Sequence, residues 1–164
     1  MRYSALAIFV VLAAGPAIGQ VNTGCPWLNV ATATGVLRSS ETGPMATLSQ
    51  GSAAVCSFDY HDATASRELR ITVDQVKDPG RGLGAYTTRC SGARAPLQAI
   101  GNEAVTCAAD TKGHIYGEQV IGRVRDQIFT VTVTTSAKQD PSMPREALEE
   151  KTRNIAEQVA GALF

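Results

Sequence analysis

Aromatic side chains are scarce in this sequence, at 5% of residues with a single tryptophan, Trp27. That scarcity argues against an extended stacking platform for bases or sugars. Neither sign of charge is in excess. The 15 Lys and Arg balance the 15 Asp and Glu, and no basic tail is present, so nucleic acid is not an expected partner. No apolar run, the N-terminal one from Ala5 to Ala14 included, is long enough to cross a bilayer as a helix, so no stable membrane span is expected. No two of the four cysteines have C-x-x-C spacing, which argues against structural zinc, haem attachment and thioredoxin-like exchange. There is no G-x-S-x-G elbow to present a serine nucleophile. No cofactor is expected.

What is present begins with the leader-like "MRYSALAIFVVLAAGPAIGQ". Arg2 supplies a positive start, and Ala5 to Ala14 form an unbroken apolar run closed by Gly15-Pro16. Ala17 and Gly19 place small residues at −3 and −1 of a cleavage site. The pattern predicts a secretory signal over residues 1–19, followed by one domain over residues 20–164 that works in the periplasm or outside the cell. A chain of that length can bury a sizeable core.

The first cysteine opens "CPWLNV", and its chemistry has to be decided. A lipid-modified cysteine would follow the apolar run directly, behind a Leu-Ala-Gly-like box. Cys25 instead follows "VNTG", downstream of the better cleavage site, which argues against lipid anchoring. An even number of cysteines (Cys25, Cys56, Cys90 and Cys107) in an exported chain favours disulfides. Of the three possible connectivities, Cys25–Cys56 with Cys90–Cys107 is favoured, because each pair brackets a simple neighbouring unit.

Periodicity supplies the elements. In "PWLNVATATGVLR", with Pro26 at a first helical position, the residues Trp27, Val30, Ala31, Thr34 and Leu37 fall on one helical face. "AVCSFDY" alternates, with Ala54, Cys56, Phe58 and Tyr60 on one face. "RELRITVDQV" alternates likewise, with Leu69, Ile71 and Val73 inward, and the two read as a hairpin. A short helix or turn is expected from Asp78-Pro79 to about Cys90-Ser91-Gly92, then a strand around Ala104 to Ala108. Two strands follow about a turn at Asp126-Gln127, the second with Phe129, Val131 and Val133 on one face. The tail is an amphipathic helix whose stripe is Leu148, Thr152, Ile155, Val159 and Ala162/Leu163. The class is α+β: an antiparallel sheet of about five strands, with an N-terminal helix, a short middle helix and a long C-terminal helix mainly on one face.

"CPWL…A…GVL", "AVCSFDY", "IGNEAVTC", "GRVRDQIFTVTV" and "AEQVAGALF" together resemble a family of small exported domains known from actinobacterial lipoproteins and from soil bacteria. The resemblance implies a Mog1/PsbP-like α/β/α sandwich, similar to the extracellular sensor domain of a mycobacterial receptor kinase. It also implies a Cys25–Cys56 bridge. It carries no catalytic residues.

Three candidate constellations remain. Asp59 and His61 point the same way on a strand and begin a metal site if a second cluster joins them, with His114 the other histidine; the competing reading is a polar strand end. Gly80-x-Gly82-x-Gly84 with Arg81 offers backbone N–H groups to an anion, although it lacks the Gly-Lys-Ser/Thr ending of a phosphate loop. Arg123 and Arg125, two apart on one strand, would share a face and could grip a carboxylate or phosphate; the competing reading is a solvated face paired with Asp126. A complete fold signal without a catalytic constellation favours a non-enzymatic cell-envelope module that binds a small ligand or a protein partner. A metal-assisted hydrolase using Asp59, His61 and His114, and a purely structural envelope protein, are the alternatives.

Overall fold

The strongest alternating run, Gln127–Thr135, forms the middle strand of a seven-stranded antiparallel sheet. The structure, a computed structural model, describes residues 24–37, 45–50, 53–109 and 116–164. The expected signal segment, the "SSETGP" loop, the Lys112-Gly113 turn and His114 lie outside them. In chain order the elements are α1 (Val30–Leu37), β1 (Met45–Gln50), β2 (Ala53–His61), β3 (Ser66–Gln75) and α2 (Pro79–Tyr86), which runs into a 3-10 turn (Thr87–Arg89). Then come β4 (Cys90–Leu97), β5 (Glu103–Ala109), β6 (Tyr116–Val124), β7 (Gln127–Thr135) and α3 (Arg145–Leu163). The sheet order is β1-β2-β3-β7-β6-β5-β4, so two antiparallel meanders join where β3 pairs with β7.

The five strands expected from periodicity are all present, and two more close the edges. β4 was unreadable because it is mostly exposed, contains Gly92 and Pro96, and shifts register between Ser91 and Ala95. Such features are tolerated at a sheet edge and blunt the period-two signal. In β1, "MATLSQ" has one β-branched residue and no aromatic.

Directly paired residues share a face of the sheet, which divides the core in two. One face carries Cys56, Ile71, Val131 and Val120 in one row and Phe58, Leu69 and Val133 in the next. Both α1 and α3 cover this face, and their buried residues join those strands in one cluster. Lys151 of α3 reaches the backbone carbonyl oxygens of Gly35 and Val36, so its ammonium sits at the negative end of α1. On the opposite face Ile121 and Ile128 are buried, and α2 packs against β6 and β7 there. The sheet is therefore sandwiched, with the longer helices together on one side.

Four local expectations need correction. First, α1 starts at Val30, not Pro26, because Asn29 caps it: its Oδ1 accepts from the Thr32 N–H at 2.8 Å. The buried face is accordingly Ala33, Val36 and Leu37, while Val30 is exposed. Second, the short helix expected from Asp78-Pro79 is α2, with Pro79 at its first position, but it stops at Tyr86, and Cys90 already opens β4. Third, the β6–β7 turn is Arg125-Asp126, one residue earlier than expected, with Arg125 in the left-handed region at φ 54°. Fourth, the stripe of α3 also takes in Ala156 and Ala160 and closes on the partly buried Leu163, whereas Ala162 is exposed.

Both disulfides connect the expected partners. Cys25–Cys56 spans 31 positions and Cys90–Cys107 spans 17, each with a Cα–Cα distance of 5.6 Å, inside the range a disulfide allows. The first ties the chain before α1 to β2, and the second ties edge strand β4 to β5.

Candidate functional site

Among the described residues, the candidate side chains anticipated from sequence are engaged by other partners, and His114 lies outside them. Arg123 lies on β6, where Glu103 of β5 is its register partner and bonds its Nε at 2.7 Å. Arg125 is in the turn, so the two guanidinium groups do not share a strand face. The Arg125 guanidinium lies 6.0 Å from the centre of the Phe164 ring, and the Arg125 backbone N–H donates to Asn102 Oδ1 at 2.7 Å. Asp126, the expected partner of the pair, instead accepts from Gln75 Nε2. Arg81 falls within α2, but its side chain lies outside the described ones. His61 ends β2 with Nδ1 2.8 Å from Ser66 Oγ, and Asp59 is 3.5 Å from Ser57 Oγ. Among the described residues no three His, Cys, Asp or Glu side chains converge on a common point that could hold a metal ion.

The structure instead opens a cavity of about 810 Å³ on the face that α3 covers. Its floor is the start of β6 (Tyr116, Gly117, Glu118), with Ala108 of β5 and Thr135 of β7. Its wall is the segment 137–144 and the first turn of α3, including Met143, Arg145 and Leu148. Met143 and Leu148 are buried, and the lining is mostly apolar. That size and character suit a small organic molecule.

The wall is fixed by a buried ionic network. Arg67 stands on β3 in phase with Leu69, Ile71 and Val73, so its side chain points into the core. It donates from Nε and Nη2 to the two carboxylate oxygens of Asp140 at 2.6 and 2.9 Å. Nη1 donates to Asp62 Oδ2 at 2.9 Å. The Thr135 hydroxyl (2.8 Å) and the Ser142 N–H (2.9 Å) complete Asp140's shell. Burial alone would raise the Asp140 carboxyl, but the Arg67 and Thr135 hydrogen bonds, the Ser142 N–H and the Arg67 charge outweigh it and hold it low. Asp62 is held well below the usual carboxylate range by the Thr64 hydroxyl, then by the Thr64 and Ala65 N–H groups and Arg67. The Arg67 guanidinium is correspondingly held above its ordinary value, chiefly by Asp140.

Glu118 is the other buried acid. It is only 7% exposed, and Thr106 donates to its Oε1 at 2.7 Å. Among the described residues no cation stands within ion-pairing distance of it. Arg145 is 86% exposed and is engaged by Glu149 at 3.0 Å. Burial pushes the Glu118 carboxyl up, Glu149 adds to the rise, and Thr106 and Arg145 oppose it. Lys138 lines the cavity from an exposed position. A lone buried carboxyl in an apolar cavity, with Asp140 already consumed by Arg67, suits recognition of a hydrogen-bond donor or a cation.

Neither Glu118 nor Arg67 was picked out from sequence. Arg67 carried a signal, since it occupies the buried phase of alternating β3, where a charge calls for a partner or a role. Glu118 did not, because the middle of β6 is buried on both faces and shows no alternation.

Among the described residues no helix is long and apolar enough to cross a membrane. No family model, no curated protein and no solved structure matches this chain.

Proposed function

We propose that this protein is an exported binding module whose cavity, between β6 and the segment leading into α3, takes a small and largely apolar molecule. The observation that carries the reading is the cavity itself: about 810 Å³, mostly apolar, with one buried carboxyl free of any ion pair among the described residues. Its wall is held by Arg67 and Asp140, so the space is built into the fold. Two disulfides fit an oxidising compartment, and with the leader-like N-terminus they support work in the periplasm or outside the cell. The metal-assisted alternative gains no support, since Asp59 and His61 bond neighbouring serines.

The test is binding of the neutral apolar fluorophore N-phenyl-1-naphthylamine. Its emission should rise and saturate with the native protein. Ala108→Trp places a ring at an exposed, cavity-lining position and should abolish the rise without changing the far-UV spectrum. Equal binding by the variant would move the site elsewhere, and no binding by the native protein would remove the reading.

A further inference from the structure

We propose that the ligand of this cavity is an amine: an apolar body carrying a primary or secondary ammonium group that docks against the Glu118 carboxylate. The inference rests on the cavity reading above and adds the chemistry of the occupant.

Three observations favour a cation. Glu118 is the buried charged side chain of the cavity that is left without an ion pair among the described residues. Thr106 satisfies Oε1, and among the described residues no donor reaches Oε2. A buried carboxylate in that state is stabilised most by a group that brings both a donor and a positive charge. The cations that also line the cavity are placed differently. Lys138 and Arg145 are solvent-exposed, and Arg145 is already paired with Glu149, so an anionic head group gains only screened attraction there. The apolar contacts come from Met143, Leu148 and Tyr116, which are suited to an alkyl or aryl body.

Three chain-matched probes separate the possibilities: n-octylamine, n-octanol and n-octanoate, each titrated against protein-bound N-phenyl-1-naphthylamine at neutral pH. Octylamine should displace the fluorophore at a concentration about tenfold or more below that of octanol, the scale of a charge-assisted hydrogen bond. Glu118→Gln should weaken octylamine by a similar factor and leave octanol within about twofold. Retained octanol binding also shows that the variant has folded. The preference of the native protein among the three probes needs no variant at all. Octanoate binding more tightly than octylamine, or octylamine indifferent to Glu118→Gln, would overturn the amine assignment while the cavity reading stands. Failure of the fluorophore itself to bind would remove both.

Discussion

Arg67 and Asp140, 73 positions apart in the chain, meet through two parallel hydrogen bonds of 2.6 and 2.9 Å in the interior. The pair joins β3 to the segment that walls the cavity. Arg67 is 3% exposed and the Asp140 side chain 0%, so neither charge can fall back on water if the other is removed. Arg67→Ala should therefore lower stability by about 3–5 kcal/mol, the usual effect of orphaning a buried charge. Urea unfolding measures it. Asp140→Asn should also weaken fluorophore binding, because the 137–144 segment loses its tie. A loss below about 1 kcal/mol for Arg67→Ala, the range of exposed ion pairs, would show that the network is hydrated in solution.

Much of the architecture could be read from alternation alone. The inward rows of β2, β3 and β7 are where period two puts them, because each strand has a helix-covered face that rejects polar side chains. The cysteine pairing was legible because each bridge joins neighbouring units. The site was harder. Arg67 stands out by phase on alternating β3, but Glu118 lies in β6, which is buried on both faces, and Asp140 lies in a polar segment with no local mark of burial. Its role exists only once β3 and β7 pair. Arg123 and Arg125 misled for a related reason: Arg-Asp is not a turn sequence with intrinsic αL preference, and the β6–β7 register, not propensity, forces Arg125 to φ 54°.

The acids bound to Arg67 and the buried Glu118 give opposite pH signatures. Asp62 and Asp140 are held below their ordinary value of 3.8, so their contribution is full above that value and is lost as pH falls through the folded-state values. Glu118 is held above its ordinary value of 4.5, chiefly by burial. Its folded state holds the proton more tightly, so its contribution is full below 4.5 and is lost as pH rises through the folded value. Glu118→Gln keeps the shape and removes the titration. Relative to the native protein it should gain stability between about pH 4 and about pH 7. Thermal or urea unfolding at both ends checks this, and a difference that stays constant across the interval would count against a raised Glu118.

The two bridges should differ modestly in worth. On the chain-entropy model, the 17-position loop of Cys90–Cys107 contributes about 3 kcal/mol and the 31-position loop of Cys25–Cys56 about 3.7 kcal/mol. Paired alanine replacements, Cys90→Ala with Cys107→Ala and Cys25→Ala with Cys56→Ala, should show losses of that order. Hydrogen exchange should separate them spatially. The first replacement should release amides of edge strand β4, whereas the second should act on α1 and β2. Matching exchange patterns in the two variants would mean that the bridges act only through the unfolded chain.

Gly122 and Phe129 provide the sharpest packing test. They are register partners on β6 and β7, and the fully buried Phe129 ring lies over the glycine. A Cβ at position 122 would come within 2.4 Å of the ring's Cζ and 2.6 Å of Cε1, so the ring has to move. Gly122→Ala should then cost about 1–3 kcal/mol, as overpacking of a filled core does. Gly161, on the exposed side of α3, has nothing within 4 Å of the same added atom. There, Gly161→Ala should stabilise by about 0.5–1 kcal/mol through helix propensity and a less free unfolded chain. The opposite signs of the two chemically identical substitutions are the expected result in urea unfolding. Combining Gly122→Ala with Phe129→Leu, which removes the crowding ring atoms, should cost less than the sum of the two single changes. Strict additivity would show that the alanine methyl does not meet the ring.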